Sequence, residues 1–227
     1  MNQRQWTEVD RYIADCFFKA DPALDHALKT SAQAGLPAIN VAPNQAKFLH
    51  LLARIQGAHK ILEIGTLGGY STIWLARALT PGGRLITLEI DPEHGDVARA
   101  NIARAGLGDV VDIRIGHALD TLPELVEQGE GPFDMIFIDA DKRSNPDYFA
   151  GALKLSRPGS VIVIDNVIRK GAVTDPDSTD PDVIGVRRLN KRMALELNIC
   201  ATSIQTVGAK GYDGLTIALV TDTSQSS

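Results

Sequence analysis

The feature that most constrains this chain is an alternation through its middle. Short apolar runs take turns with segments of helical spacing. Lys60–Ile64, Arg84–Glu89, Val110–Ile115, Phe133–Ile138 and Ser160–Ile164 each have the continuous apolar character of a strand buried on both faces. Between them, Ser71–Ala78, Asp91–Ala105, Ala118–Glu127 and Asn145–Ser156 space their apolar residues for a helix. Strand and helix in strict turn predict βαβ units, a mostly parallel sheet and helices on both of its faces.

Punctuation supports these bounds. Asp91-Pro92 offers an N-cap acceptor followed by a proline at the first helical position. Gly106 and Gly57 stand where helices end in a left-handed residue. Before Lys60 the chain is predicted all-helical, with Asp21-Pro22 starting one helix and another running from Pro43 to Gln56. After Asn166, Arg169–Pro181 is rich in Gly, Asp and Pro and predicts a loop, followed by a helix over Asp182–Leu197. Ala201–Val207 and Leu215–Thr221, linked by Gly208–Gly214, predict an antiparallel hairpin that ends the sheet. The stretch Thr221–Ser227 is a polar tail. The 227 residues suit one domain, a helical extension over 1–59 and a core over 60–221.

Composition narrows the function classes. A net charge of -5, without a run of Lys or Arg, argues against a nucleic-acid surface. The pairs Arg187-Arg188 and Lys191-Arg192 fit a solvated helix face. No apolar stretch reaches the ~20 residues of a membrane span, and the first residues lack an apolar secretory segment. Two cysteines, Cys16 and Cys200, imply no disulfide framework. The cytoplasm is the expected compartment.

The first strand runs into Glu63-Ile64-Gly65-Thr66-Leu67-Gly68-Gly69-Tyr70-Ser71. Glycines permit a sharp turn and close approach of a ligand to the backbone. The G-x-G-x-x-G spacing of dinucleotide sites is absent. Glu63 would repel a pyrophosphate but attract an ammonium or a sulfonium. Glu89 ends the second strand, 24 positions after Gly65, where a carboxylate can take both ribose hydroxyls, with Ile90 beside it. Together these favour S-adenosylmethionine over a nicotinamide cofactor, with Gly65, Thr66 and Gly69 forming the turn. Gly116-His117-Ala118 follows the third strand, where an adenine could lie; His117 lines or neighbours that pocket.

The fourth strand ends in Asp139-Ala140-Asp141-Lys142 and the fifth in Asp165-Asn166. Ligands of open parallel sheets bind beyond the carboxyl ends of the strands, so Asp139, Asp165 and Asn166 can converge. Two carboxylates and an amide oxygen make a hard, oxygen-only donor set for Mg²⁺, Ca²⁺ or Mn²⁺ rather than Zn²⁺. Asp141 is better explained as a helix N-cap. Lys142, facing a cation, is a candidate general base for a hydroxyl.

These motifs together resemble the cation-dependent O-methyltransferases, which include catechol and caffeoyl-CoA O-methyltransferases, and are most similar to the bacterial members. The matching stretches are Ile61–Ala76, Leu85–Asp91, Phe133–Lys142, Asp165–Gly171 and Gly211–Ala218. The resemblance implies a class I methyltransferase fold, a Rossmann-like sheet with a C-terminal antiparallel strand. It places metal ligands at Asp139, Asp165 and Asn166 and the catalytic lysine at Lys142. Cofactor contacts fall on Val41, Glu63, Gly65 and Ser71, and on Glu89, Ala118 and Asp139. Ile39-Asn40-Val41 corresponds to the loop over the methionine end. A homodimeric assembly is a further implication, and a metal held by this ligand set with two open adjacent positions points to a small aromatic acceptor with vicinal hydroxyls. Where many members carry Asn-Tyr after the lysine, this chain has Ser144-Asn145, and the residues near 39–44, 168–176 and 208–213 match no one subgroup. A metal-independent O- or N-methyltransferase, an NAD-dependent oxidoreductase and a non-catalytic cofactor-binding protein are the competing readings.

Overall fold

A computed structural model describes residues 2–222; residues 223–227, most of the predicted polar tail, lie outside the described residues. The strands are β1 (Lys60–Ile64), β2 (Arg84–Glu89), β3 (Val111–Ile115), β4 (Met135–Ile138), β5 (Val161–Asp165), β6 (Ile199–Gly208) and β7 (Gly211–Val220). They hydrogen-bond in the order β3-β2-β1-β4-β5-β7-β6. This is a seven-stranded, mostly parallel sheet with antiparallel strands at its C-terminal side, as the alternating pattern predicts. Two compact units are distinguished among the described residues: 2–117 with 207–211, and 118–206 with 212–222.

In the first unit, three helices precede the sheet: α1 (Gln3–Phe17), α2 (Pro22–Gln33) and α3 (Pro43–Gln56). Asp21 caps α2 by accepting from the backbone N–H groups of Ala23 and Leu24, and Gly57 closes α3 in the left-handed conformation. β1 pairs in parallel with β2, and β2 with β3, so the carboxyl ends of all three point the same way. α4 (Tyr70–Ala76) and α5 (Pro92–Arg104) are the crossovers. Every residue of α4 is buried, which explains why its seven residues read as helix without a polar face.

In the second unit, α6 (Ala118–Glu127) and α7 (Asn145–Lys154) flank β4, and α8 (Pro181–Met193) follows β5. β4 and β5 are parallel, with Ile138 opposite Ile164. β7 runs antiparallel to β5, with Asp165 opposite Leu215. The predicted loop over 169–181 contains a 3-10 turn, Arg169–Thr174. α8 stops at Met193, the last residue of its buried stripe Val183, Val186, Leu189 and Met193; the predicted end at Leu197 fails because Leu195 and Leu197 are exposed. Among the described residues no helix is long and apolar enough to cross a membrane.

Candidate active site

In the first unit the turn after β1 is built around two carboxylates. Glu63 is fully buried. Its Oε2 accepts from the hydroxyls of Thr72, at 2.5 Å, and Thr87, at 2.7 Å. Thr87 is its register partner on β2, and the Thr66 and Thr87 hydroxyls share a further bond of 2.6 Å. A buried carboxylate is tolerated only when hydrogen-bonded, and here the donors come from β2 and α4. Glu63 therefore also knits β1, β2 and α4 together beneath the turn, a duty that the spacing does not announce.

Glu89 supports the same turn from its other side. Its Oε2 accepts the Leu67 N–H at 2.7 Å and its Oε1 accepts the Asp91 N–H at 3.0 Å. Leu67 has φ 49°, a left-handed conformation that a leucine rarely adopts. Gly65, at φ 104°, begins the turn, and its N–H is bound by Leu88 O. Thr66 and Ser71 are buried, Gly69 is the left-handed cap of α4, and Ile90 is exposed next to Glu89. Gly116 N–H donates to Glu89 O, so the exposed His117 follows a strand end tied to this one. Val41 is buried, and the neighbouring Ala38 O accepts from Lys210.

In the second unit, Asp139 and Asp165 each stand one residue beyond the Ile138–Ile164 register pair. Adjacent strands lie about 4.8 Å apart, so the two residues sit at neighbouring strand ends. Asp165 is buried and its Oδ1 accepts the Asn166 N–H at 2.8 Å. Asn166 turns left-handed at φ 56°, a conformation that asparagine tolerates better than most residues. Lys142 lies in a 3-10 turn, Lys142–Ser144, with only 7% of its surface exposed, and its Nζ donates to Asp139 Oδ1 at 2.6 Å. A side-chain nitrogen buried this deeply needs such a partner. Ala118, at the first turn of α6, is also buried.

Asp141 stands at the N-cap position of that 3-10 turn, and besides the Ser144 backbone its carboxylate takes two hydroxyls. Ser144 donates at 2.6 Å and Tyr148 at 2.5 Å. Burial alone would raise the Asp141 pKa; these hydrogen bonds and the Arg143 charge outweigh it and hold the carboxyl below its ordinary range. Burial and the facing Asp141 push the Tyr148 phenol well above its usual value. Asp141 thus anchors the lysine turn to α7.

Among the described residues no group of three or more His, Cys, Asp or Glu forms a metal site. Asp139, Asp165 and Asn166 are a set of another composition, two carboxylates and one amide, and their oxygens fit a hard divalent cation.

The whole stretch from residue 17 to residue 220 matches a family model described as O-methyltransferase. The chain belongs to the O-methyltransferase family. This O-methyltransferase is 56% identical over 220 residues to a catechol O-methyltransferase of Niastella koreensis, covering 97% of this chain and 100% of that one. It is 50% identical to a catechol O-methyltransferase of Mycobacterium tuberculosis, over 94% of this chain and 95% of the other. The solved O-methyltransferase of Bacillus cereus in complex with S-adenosylhomocysteine superposes with a TM-score of 0.95 at 55% identity, covering 96% and 100% of the two chains. TomG of Streptomyces achromogenes, solved with S-adenosylmethionine, gives a TM-score of 0.94 at 52% identity over 98% and 100%. The enzyme is an S-adenosylmethionine-dependent O-methyltransferase, and the oxidoreductase and non-catalytic readings fall away.

Proposed function

We propose that this O-methyltransferase acts on one of two vicinal hydroxyls of a small aromatic, catechol-like acceptor, and that it requires a divalent cation. The observation that carries the reading is the pairing of a deeply buried Lys142 with Asp139, one strand from Asp165-Asn166. Asp139, Asp165 and Asn166 would hold the cation, which when bound lowers the pKa of an acceptor hydroxyl. S-adenosylmethionine supplies an electrophilic methyl group. Glu89 takes the ribose hydroxyls, while Glu63, Gly65, Thr66, Gly69 and Ser71 shape the turn for the methionine end. Val41 covers that end, and Ile90, His117 and Ala118 border the adenine. As the free amine, Lys142 Nζ would accept the proton from the acceptor hydroxyl as the oxygen takes the methyl, and Asp139 would then hold the ammonium so formed.

Two hydroxyls on adjacent ring carbons fix one oxygen for in-line attack, whereas a lone phenol can rotate away. Caffeate and p-coumarate, compared at equal Mg²⁺ and cofactor with S-adenosylhomocysteine as readout, test this. Caffeate should react at least ~100-fold faster, the scale of a lost positioning contact. Equal rates would show that the cation does not chelate the acceptor, and full activity after exhaustive chelation would remove the metal from the reaction and favour metal-independent transfer.

The enzyme is further proposed to be a cytoplasmic homodimer. Both cysteines are free and exposed, which suits a reducing compartment. α1 buries none of its residues, yet lines up Val9, Ile13 and Phe17 on one stripe, with Val9 and Phe17 exposed. Sedimentation as a monomer would count against the dimer.

A further inference from the structure

The turn that begins with Asn166 is held by two residues of β7. Gly214 O accepts the Val167 N–H at 3.0 Å. Asp213 Oδ1 accepts the N–H groups of Ile168, at 2.9 Å, and Arg169, at 3.0 Å, together with that of Gly214, at 2.9 Å. Three consecutive amides, 167 to 169, are thus taken up by two adjacent residues of one strand. The approach depends on a glycine. A Cβ on residue 214 would lie 2.3 Å from Ile204 O and 2.4 Å from Ile168 Cγ1.

What this contact holds is an uncommon backbone. Asn166, Arg169, Lys170 and Gly171 have φ of 56°, 53°, 55° and 91°. L-residues visit this region singly, as a rule. A turn with three of them persists only where its surroundings over-determine it. Arg169 and Lys170 have no local side-chain device of the kind that lets asparagine occupy this region. The carboxylate of Asp213 supplies the determinant instead.

We propose that Asp213 is a positioning residue for the metal centre, fixing the turn that presents Asn166 while touching neither cation nor acceptor. The proposal rests on the reading of Asp165 and Asn166 as metal ligands. Groups that orient a ligand residue typically change metal affinity by about 10- to 100-fold when removed, whereas a carboxylate that merely tidies a surface turn changes it not at all.

The experiment compares wild type, Asp213→Ala and Asp213→Asn by Mn²⁺ titration and by the rate of tryptic cleavage after Arg169 and Lys170. S-adenosylhomocysteine affinity serves as the control for folding. Asp213→Ala should weaken Mn²⁺ binding by about 10- to 100-fold, accelerate cleavage and leave S-adenosylhomocysteine binding unchanged. Asp213→Asn, which keeps an acceptor oxygen, should move both readouts the same way by less, and it decides alone if the alanine variant does not fold. Faster cleavage with unchanged Mn²⁺ affinity overturns the proposal. A wild type that binds no Mn²⁺ overturns the metal reading instead; accelerated cleavage would then retain Asp213 as the anchor of the turn, and unaltered cleavage would dismiss it.

Discussion

The turns after β1 and after β5 solve the same problem in opposite ways. Each leaves a parallel strand, enters the left-handed region repeatedly and accepts support from a carboxylate distant in sequence. After β1, two of the three left-handed residues are glycines, Gly65 and Gly69, with Leu67 between them, and Glu89 binds one amide. After β5, three of the four are Asn166, Arg169 and Lys170, and Asp213 binds two amides of the turn. A non-glycine residue there costs roughly 1–2 kcal/mol. A hydrogen bond to a charged group contributes about 1.5–3 kcal/mol, enough to offset it. The turn after β1, the proposed cofactor turn, is therefore largely intrinsic to its own residues, and the turn at the proposed metal site is imposed from β7.

If the regions are this separate, variants should affect one and spare the other. The largest expected effect is that of Lys142→Met. Loss of the proposed general base should lower turnover by about 10²–10⁴-fold, with S-adenosylmethionine affinity, measured by calorimetry, unchanged. Parallel losses in both would mean that Lys142 organises the cofactor turn as well. Glu89→Ala comes next, weakening cofactor binding by about 2–3 kcal/mol through the lost ribose contacts and the freed Leu67 amide. Mn²⁺ affinity should not move, and an equal loss there would break the comparison.

Smaller effects come from the backbone. Gly65→Ala forces a Cβ onto φ 104° and should lower the thermal midpoint. Lys170→Gly relieves a strained residue at φ 55° and should be neutral or stabilising, by at most about 1 kcal/mol, since glycine also loses more freedom on folding. Destabilisation by Lys170→Gly would show that its side chain holds the turn after all.

The smallest expected effect is a difference in acid sensitivity. Burial holds His50, on α3, below its ordinary 6.5, in spite of a bond to Trp74 O. The unfolded chain therefore takes up that proton first, and stability falls as pH drops below 6.5. Asp141, lowered from 3.8, keeps its contribution until the pH passes below that value. Thermal midpoints of wild type and His50→Gln at pH 7 and pH 5 should show a smaller acid loss in the variant. An identical loss would place the sensitive group elsewhere.

Much of the frame is legible because buried parallel strands are continuous apolar runs. β1 and β2 have the predicted bounds residue for residue. β4 starts at Met135 rather than Phe133, because the fully buried Phe133 gives its N–H to Leu155 O outside the strand; apolarity reports burial, not pairing. The predicted link Gly208–Gly214 is mostly strand, since β7 already begins at Gly211. Spacing alone makes Gly211 and Gly214 turn glycines, whereas Gly214 serves close packing. In the candidate site, the position of Asp139, Asp165 and Asn166 at neighbouring strand ends is legible, because strand ends follow from the apolar runs. The hydroxyls of Thr72 and Thr87 on Glu63 are not, because an interior threonine is an ordinary strand or helix residue until its partner is known. Asp213 is invisible for a related reason. Its partners lie 44 and 45 positions earlier, and no local pattern says which carboxylate a turn amide will meet.

One contact of α8 has a bearing on how the enzyme can change. A Cβ at Gly185 would stand 2.3 Å from Lys142 O and 2.6 Å from Arg143 Cα, so main chain rests almost directly on main chain there. The height of the lysine turn is consequently set by backbone dimensions that every protein shares. Among the thirteen residues of α8, those facing solvent are free to drift over generations without disturbing the proposed base. The whole inherited constraint on this contact is concentrated in one position that carries no side chain at all.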